Sequence, residues 1–238
     1  MTGSGASSHE RHSGRLGIDV ALAPDAGAAI ELAENRVQVF ARAIRAGYFF
    51  PASLREPSSE RLPVNVRAGR VHAELEVSDL PLGALGVLGG MLLDARHHEV
   101  VLVEARAVLG PVEVDLLERW EQRPWPVADP PFRVVRPGDL GGNYALLVEI
   151  EFAEVVPPEA GRAMLETLRL WDALSLAFPV DAQEPVEVSG AQAMFNDPRT
   201  IHYHEWDWDN ADPLAWGLLV NLCCAWHRTW PIVRVQFE

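Results

Sequence analysis

Residues 199–237 read RTIHYHEWDWDNADPLAWGLLVNLCCAWHRTWPIVRVQF, and three consecutive patterns in them decide the fold. Residues 199–208 are a strand, in which successive side chains project to opposite faces. Residues 213–228 are a helix, with Asp212 as N-cap, Pro213 at the first helical position and a stop before Pro231. Trp216, Leu218, Leu219, Val220, Leu222, Cys223, Cys224 and Trp226 leave this helix no wet face. Residues 231–237 are a second strand.

Working backwards, 185–189 is a short strand, 158–176 a helix opening at Pro157-Pro158, and 144–153 a strand. The order is βαββαβ, which specifies a ferredoxin-like arrangement: an antiparallel sheet with two helices on one face. The expected class is therefore α+β, with a ferredoxin-like C-terminal half over 137–238.

Upstream, a strand–proline–helix unit recurs. Val71 to Val77 alternates as a half-buried strand and Pro81 opens an apolar helix to about Asp94; Val100 to Val108 is a strand and Pro111 opens a helix carrying Val112, Leu116, Leu117 and Trp120. Taken with the unit starting at Tyr144, this repetition suggests duplication into antiparallel sheets. Ile30, Ala33, Val37, Phe40, Ala41 and Ile44 make an N-terminal amphipathic helix between Pro24-Asp25 and Gly47. The proline-rich stretch 51–63 is a loop, and 123–142 is a boundary in which Phe132 to Val135 forms a short strand. The expected divisions are a flexible tail over 1–23, an N-terminal α+β half over 24–136, and the C-terminal half, all within one compact body.

Composition excludes several function classes. The formal charge of -14 repels nucleic acid and favours basic proteins or cations. All 20 basic residues are Arg, so no Schiff-base, P-loop or kinase lysine exists. Arg without Lys, beside abundant Ala, Gly, Val, Leu and Pro, is the usage of a GC-rich genome and suggests a bacterial source. Cys223 and Cys224 are adjacent, which disfavours a disulfide and fits a reducing, cytoplasmic compartment. The first residues carry no apolar stretch of a secretory leader, and 213–226 is too short to span a bilayer, which takes ~20 apolar residues. No membrane association is expected.

Two constellations are candidate sites. On one parity of the late strand, Glu205, Asp207 and Asp209 form an acidic stripe, with Trp206 and Trp208 beside it; like charges in a row must stay solvated, and aromatic residues next to them are typical of protein-binding surfaces. On the other parity, His202 and His204 are neighbours, and with His227 and Cys224 they make an alternative tetrahedral metal set. No compact metal signature fixes that set, so packing histidines and no cofactor are the default. The positions after Asp209 hold Ala211 and Asp212, which rules out a calcium loop. His97-His98 is read as a solvated turn. There is no GxSxG, GxGxxG, DFG or HRD.

The sequence therefore favours a non-enzymatic, acidic protein-binding protein, of the type of a bacterial immunity protein neutralising a basic toxin. The alternatives are a metal-dependent enzyme or metal-binding protein using His202, His204, His227 and Cys224, and a structural or regulatory subunit. In that last case a second copy covers the apolar last helix in a homo-oligomer.

Overall fold

The structure is a computed structural model. It describes residues 10–23, 27–54, 64–94, 102–117, 128–136, 146–175, 177–178, 187–209 and 215–238. The chain divides into two compact units, Met1–Arg45 with Pro51–Pro126, and Ala46–Phe50 with Val127–Glu238. Each is a mixed α+β unit built on one sheet.

The first unit runs β1 (Arg11–Leu22), α1 (Gly27–Ala46), β2 (Ser53–Leu54), β3 (Val64–Arg67), β4 (Arg70–Pro81), α2 (Leu82–Asp94), β5 (Leu102–Leu109) and β6 (Val112–Asp115). β1 is the central strand, antiparallel to β4 on one side and to β5 on the other, so Ile18 lies between Ala73 and Ala107. β2 and β3 share the outer edge of β4, and β6 closes the other edge as a hairpin with β5. Apart from β2 and β6, this is βαββαβ with the second, third, first and fourth strands side by side, the ferredoxin-like order.

Strand periodicity explains which way this sheet faces. Leu16, Ile18 and Val20 are fully buried, whereas the alternate Arg15 and Asp19 join a charged ladder on the open face. There Arg70 reaches Asp19 at 2.8 Å and Glu104 at 3.5 Å, and Arg15 reaches Glu74 at 3.5 Å. Over the buried face, α1 contributes Ala33, Val37, Phe40 and Ile44 at helical spacing. α2 is apolar all round, with Leu85, Leu88, Met91 and Leu92 fully buried. Its Gly89 is required by a close approach: a Cβ there would lie 2.2 Å from the carbonyl oxygen of Leu116.

The second unit runs β7 (Arg133–Val135), β8 (Leu146–Phe152), α3 (Pro158–Ser175), β9 (Glu187–Asp197), β10 (Thr200–Asp209), α4 (Trp216–His227) and β11 (Ile232–Phe237). Its sheet has the order β7-β11-β8-β10-β9. From β8 onward this is again βαββαβ with ferredoxin-like strand order, and β7 adds to the edge of β11 in parallel. Leu146, Val148, Ile150 and Phe152 of β8 face the helices with Ile201 and Tyr203 of β10. The stacked pair Trp216–Phe237, 4.8 Å apart, joins α4 to β11.

Three expectations need correction. The presumed tail over 1–23 contains β1, the central strand of the first sheet; residues 1–9 lie outside the described residues. The helix expected to open at Pro111 is instead the hairpin strand β6, because Val112 to Leu109 and Val114 to Ala107 are in sheet register; Trp120 lies outside the described residues. β9 runs to Asp197, well beyond the short strand expected at 185–189. The helix start expected at Asp212 and Pro213 lies outside the described residues, and α4 is described from Trp216, preceded by Ala215 in helical conformation. The repeat is real, but its period is a whole βαββαβ unit and not a strand–helix pair.

Candidate functional site

β10 carries both constellations singled out from the sequence, and its register separates them. Ile201 and Tyr203 are buried under the helices, while His202 and His204 alternate with them on the open face. His202 is 3.2 Å from Glu149 on β8, and Glu149 also binds Arg234 of β11, whose Nε is 3.2 Å from Glu151. His202 is thus one rung of an ionic ladder across β10, β8 and β11. His204 sits in register with Leu147 and Gln192.

The alternative metal set is not assembled. Cys223 and Cys224 are buried free thiols on α4, on the helix-bearing side of the sheet, opposite to His202 and His204. His227 Nδ1 accepts the Ile232 N–H at 2.9 Å, which commits that nitrogen to the turn before β11. Among the described residues no group of three His, Cys, Asp or Glu side chains is placed to hold a metal ion. Burial pushes the Cys223 thiol well above its usual range and the Cys224 thiol up to about 11, so both are neutral near pH 7.

The acidic stripe falls where the described backbone is firm in register but the side chains of Glu205, Trp206, Asp207, Trp208 and Asp209 lie outside the described residues. In register the stripe shares the parity of Ile201 and Tyr203, on the helix-bearing side of the sheet, and not that of His202 and His204 on the open face. Two further facts are fixed by pairing. First, the described partnership of β10 with β8 ends at Glu205–Leu146, so Asp207 and Asp209 extend past it, paired to β9 alone. Second, Asp209 lies directly across from Glu187, and Asp207 from Ser189. Like charges in direct cross-strand register repel. β9 and β10 together carry five carboxylates (Glu187, Asp197, Glu205, Asp207 and Asp209) and no Arg, in a chain with 20. Arg199, in the turn joining them, sits at the opposite end of the hairpin from Glu187 and Asp209.

Sequence reasoning missed a buried polar cluster in this unit. The Tyr203 hydroxyl donates to the Asp172 carboxylate of α3, and Trp171 packs edge-on against the Tyr203 ring at 5.4 Å while its Nε1 donates to Ala215 O at 3.1 Å. The Tyr48 hydroxyl donates to Thr167 O at 3.0 Å, tying the segment after Gly47 onto α3. Burial raises the Asp172 carboxyl, and the hydrogen bond from Tyr203 only partly offsets it. Burial, then the Asp172 carboxylate, raises the Tyr48 hydroxyl as well. The available signal was a carboxylate one residue after Trp171, inside an otherwise apolar helix stripe. This cluster ties α3 to β10 and to the segment after α1, and its hydroxyls are occupied by the fold itself.

No family model matches the chain, and no curated protein matches it. Among solved structures, it is similar to one titled "Crystal structure of putative glycine cleavage system transcriptional repressor", at 9% identity over 95% of each chain. The TM-score of 0.22 is too low to carry any argument about this chain.

Proposed function

We propose that this chain is a non-enzymatic binding protein whose partner is a basic protein, engaged at the acidic end of β9 and β10. The observation that carries the reading is the cross-strand pair Glu187–Asp209, continued by Asp207 and Glu205 on strands without a single Arg. Like charges in cross-strand register repel, and an approaching cation relieves such repulsion. The net charge of -14 adds long-range steering of a positive partner.

The finer form of the proposal is a bacterial, cytoplasmic immunity-type inhibitor of a cationic toxin. Free cysteines fit a reducing compartment, and no helix among the described residues is long and apolar enough to cross a membrane. The test uses wild-type protein and the variant Glu205→Ser, Asp207→Ser, Asp209→Ser as parallel affinity baits, followed by binding measurements on each recovered protein purified alone. The reading requires a Lys/Arg-rich partner that binds the variant at least tenfold more weakly. Acidic or neutral partners, or equal binding to both baits, would refute it. A toxin gene beside this one supports the finer form, and a neighbourhood of biosynthetic genes opposes it.

A further inference from the structure

Sheet edges expose unpaired backbone donors and acceptors, and proteins protect them by keeping edge strands short or by interrupting them with Lys, Pro or bulges. Four of the strands on the outer edges here follow that rule: Ser53–Leu54, Val64–Arg67, Val112–Asp115 and Arg133–Val135 span two to four residues each. β9 does not. It is 11 residues long, EVSGAQAMFND, with no Pro and no basic residue, and among the described residues it pairs in the sheet with β10 alone. Gln192 and Met194 are exposed, and Gly190, Ala191 and Ala193 are small enough to let another backbone approach.

We infer that β9 receives an extended basic segment of a partner protein as an added strand of the second unit's sheet. This rests on the reading of the β9–β10 acidic end as the contact for a basic protein, and it supplies the mode: backbone hydrogen bonds give the affinity, and the carboxylates at the strand end select a cationic segment. A second copy of the chain fits less well. Two-fold antiparallel pairing of β9 about Gln192, its midpoint, sets Glu187 of each copy in register with Asp197 of the other, and like charges in cross-strand register repel.

The full-length wild-type protein is titrated with three synthetic peptides as long as β9: alternating Arg and Val, the same peptide N-methylated at every amide, and alternating Thr and Val. Amide exchange along Glu187–Asp197 is followed in each titration. The Arg-Val peptide is expected to bind and to slow exchange of alternate β9 amides at least tenfold, because an added strand bonds every second N–H. The methylated peptide keeps the charge but has no backbone N–H donors, and should bind at least tenfold more weakly; the Thr-Val peptide should do the same for want of charge. If the methylated peptide binds equally well, or no β9 amide gains protection, strand addition is wrong while attraction of a basic protein stands. Equal binding of the Thr-Val peptide removes the basic character of the added strand. Absence of binding by either charged peptide at low salt overturns both readings, and a free protein that sediments as a dimer with β9 amides already protected gives the edge to a second copy.

Discussion

Replacing Gly89 by Ala tests the packing of the first unit. Two effects oppose each other. In a helix interior Ala is better than Gly by about 1 kcal/mol, so propensity alone would make the variant more stable. Against this, the new Cβ would sit 2.2 Å from the Leu116 carbonyl oxygen, and ordinary contact begins near 3.4 Å, so helix and turn must part by about 1.2 Å. Neither side is free to move: Leu85, Leu88 and Leu92 are fully buried around the glycine, and the Leu116 N–H is tied to Ala105 O at 2.9 Å. Overpacking of that kind costs about 1–3 kcal/mol, at its upper end for a backbone clash. The expected result is a net loss of about 1–2 kcal/mol. Gly17→Ala is the control, since its Cβ would meet nothing within 4 Å. It should be neutral or slightly stabilising, as Gly in a strand interior costs about 0.5–1 kcal/mol relative to Ala. Urea unfolding at fixed temperature, with amide exchange at Ile18 and Val20 reporting on the first unit, gives both values. A Gly89→Ala variant as stable as wild type would refute the close approach of α2 to the turn after β6.

Three further outcomes follow from the second unit. Leu222→Asp places a charge at a fully buried position of α4 and should cost several kcal/mol, abolishing soluble expression; an unchanged thermal midpoint would contradict the burial of that helix. Asp172→Asn should stabilise the protein more at pH 8 than at pH 4: the folded carboxyl is raised above its unfolded value by burial, so wild type loses stability as pH rises through that raised value and the amide does not. A pH-independent difference between the two proteins would remove Asp172 from the buried cluster. Cys223 and Cys224 should resist a thiol reagent in the native state and react within seconds in urea, and rapid native labelling would contradict their placement.

Much of the second unit was legible from sequence because most of its elements have boundary signals, β9 being the exception. Pro157-Pro158 opens α3, Pro231 separates α4 from β11, and β8 alternates Leu146, Val148, Ile150 and Phe152. The first unit was less legible for a physical reason. β1 begins in a Ser/Gly-rich stretch, and Gly14 and Gly17 weaken its alternation, so its strand character comes from being held between β4 and β5. The segment after Pro111 imitates a helix start, but Gly110, at φ +58, turns the chain back on β5, and pairing with Arg106 to Leu109 decides its state. Trp216 to Cys224 of α4 are all buried, as expected of a helix without a wet side. The site was half legible. Parity separates the histidines from the carboxylates in sequence, but only register shows Glu187 facing Asp209 and the cysteines lying across the sheet from the histidines.

The most direct measurement is the association rate of the alternating Arg-Val peptide by stopped flow, for wild type and for the triple serine variant, across salt from about 0.02 M to about 0.3 M. Screening lengths fall from roughly 20 Å to under 10 Å over that range, so steering by the carboxylates is progressively lost. The account predicts a wild-type rate that drops steeply with salt, and a variant that is at least as stable, slower at low salt and nearly flat across the series. A variant with the wild-type rate and the same salt slope would show that the acidic end of β9 and β10 only keeps the protein in solution, contradicting its role as the partner's contact.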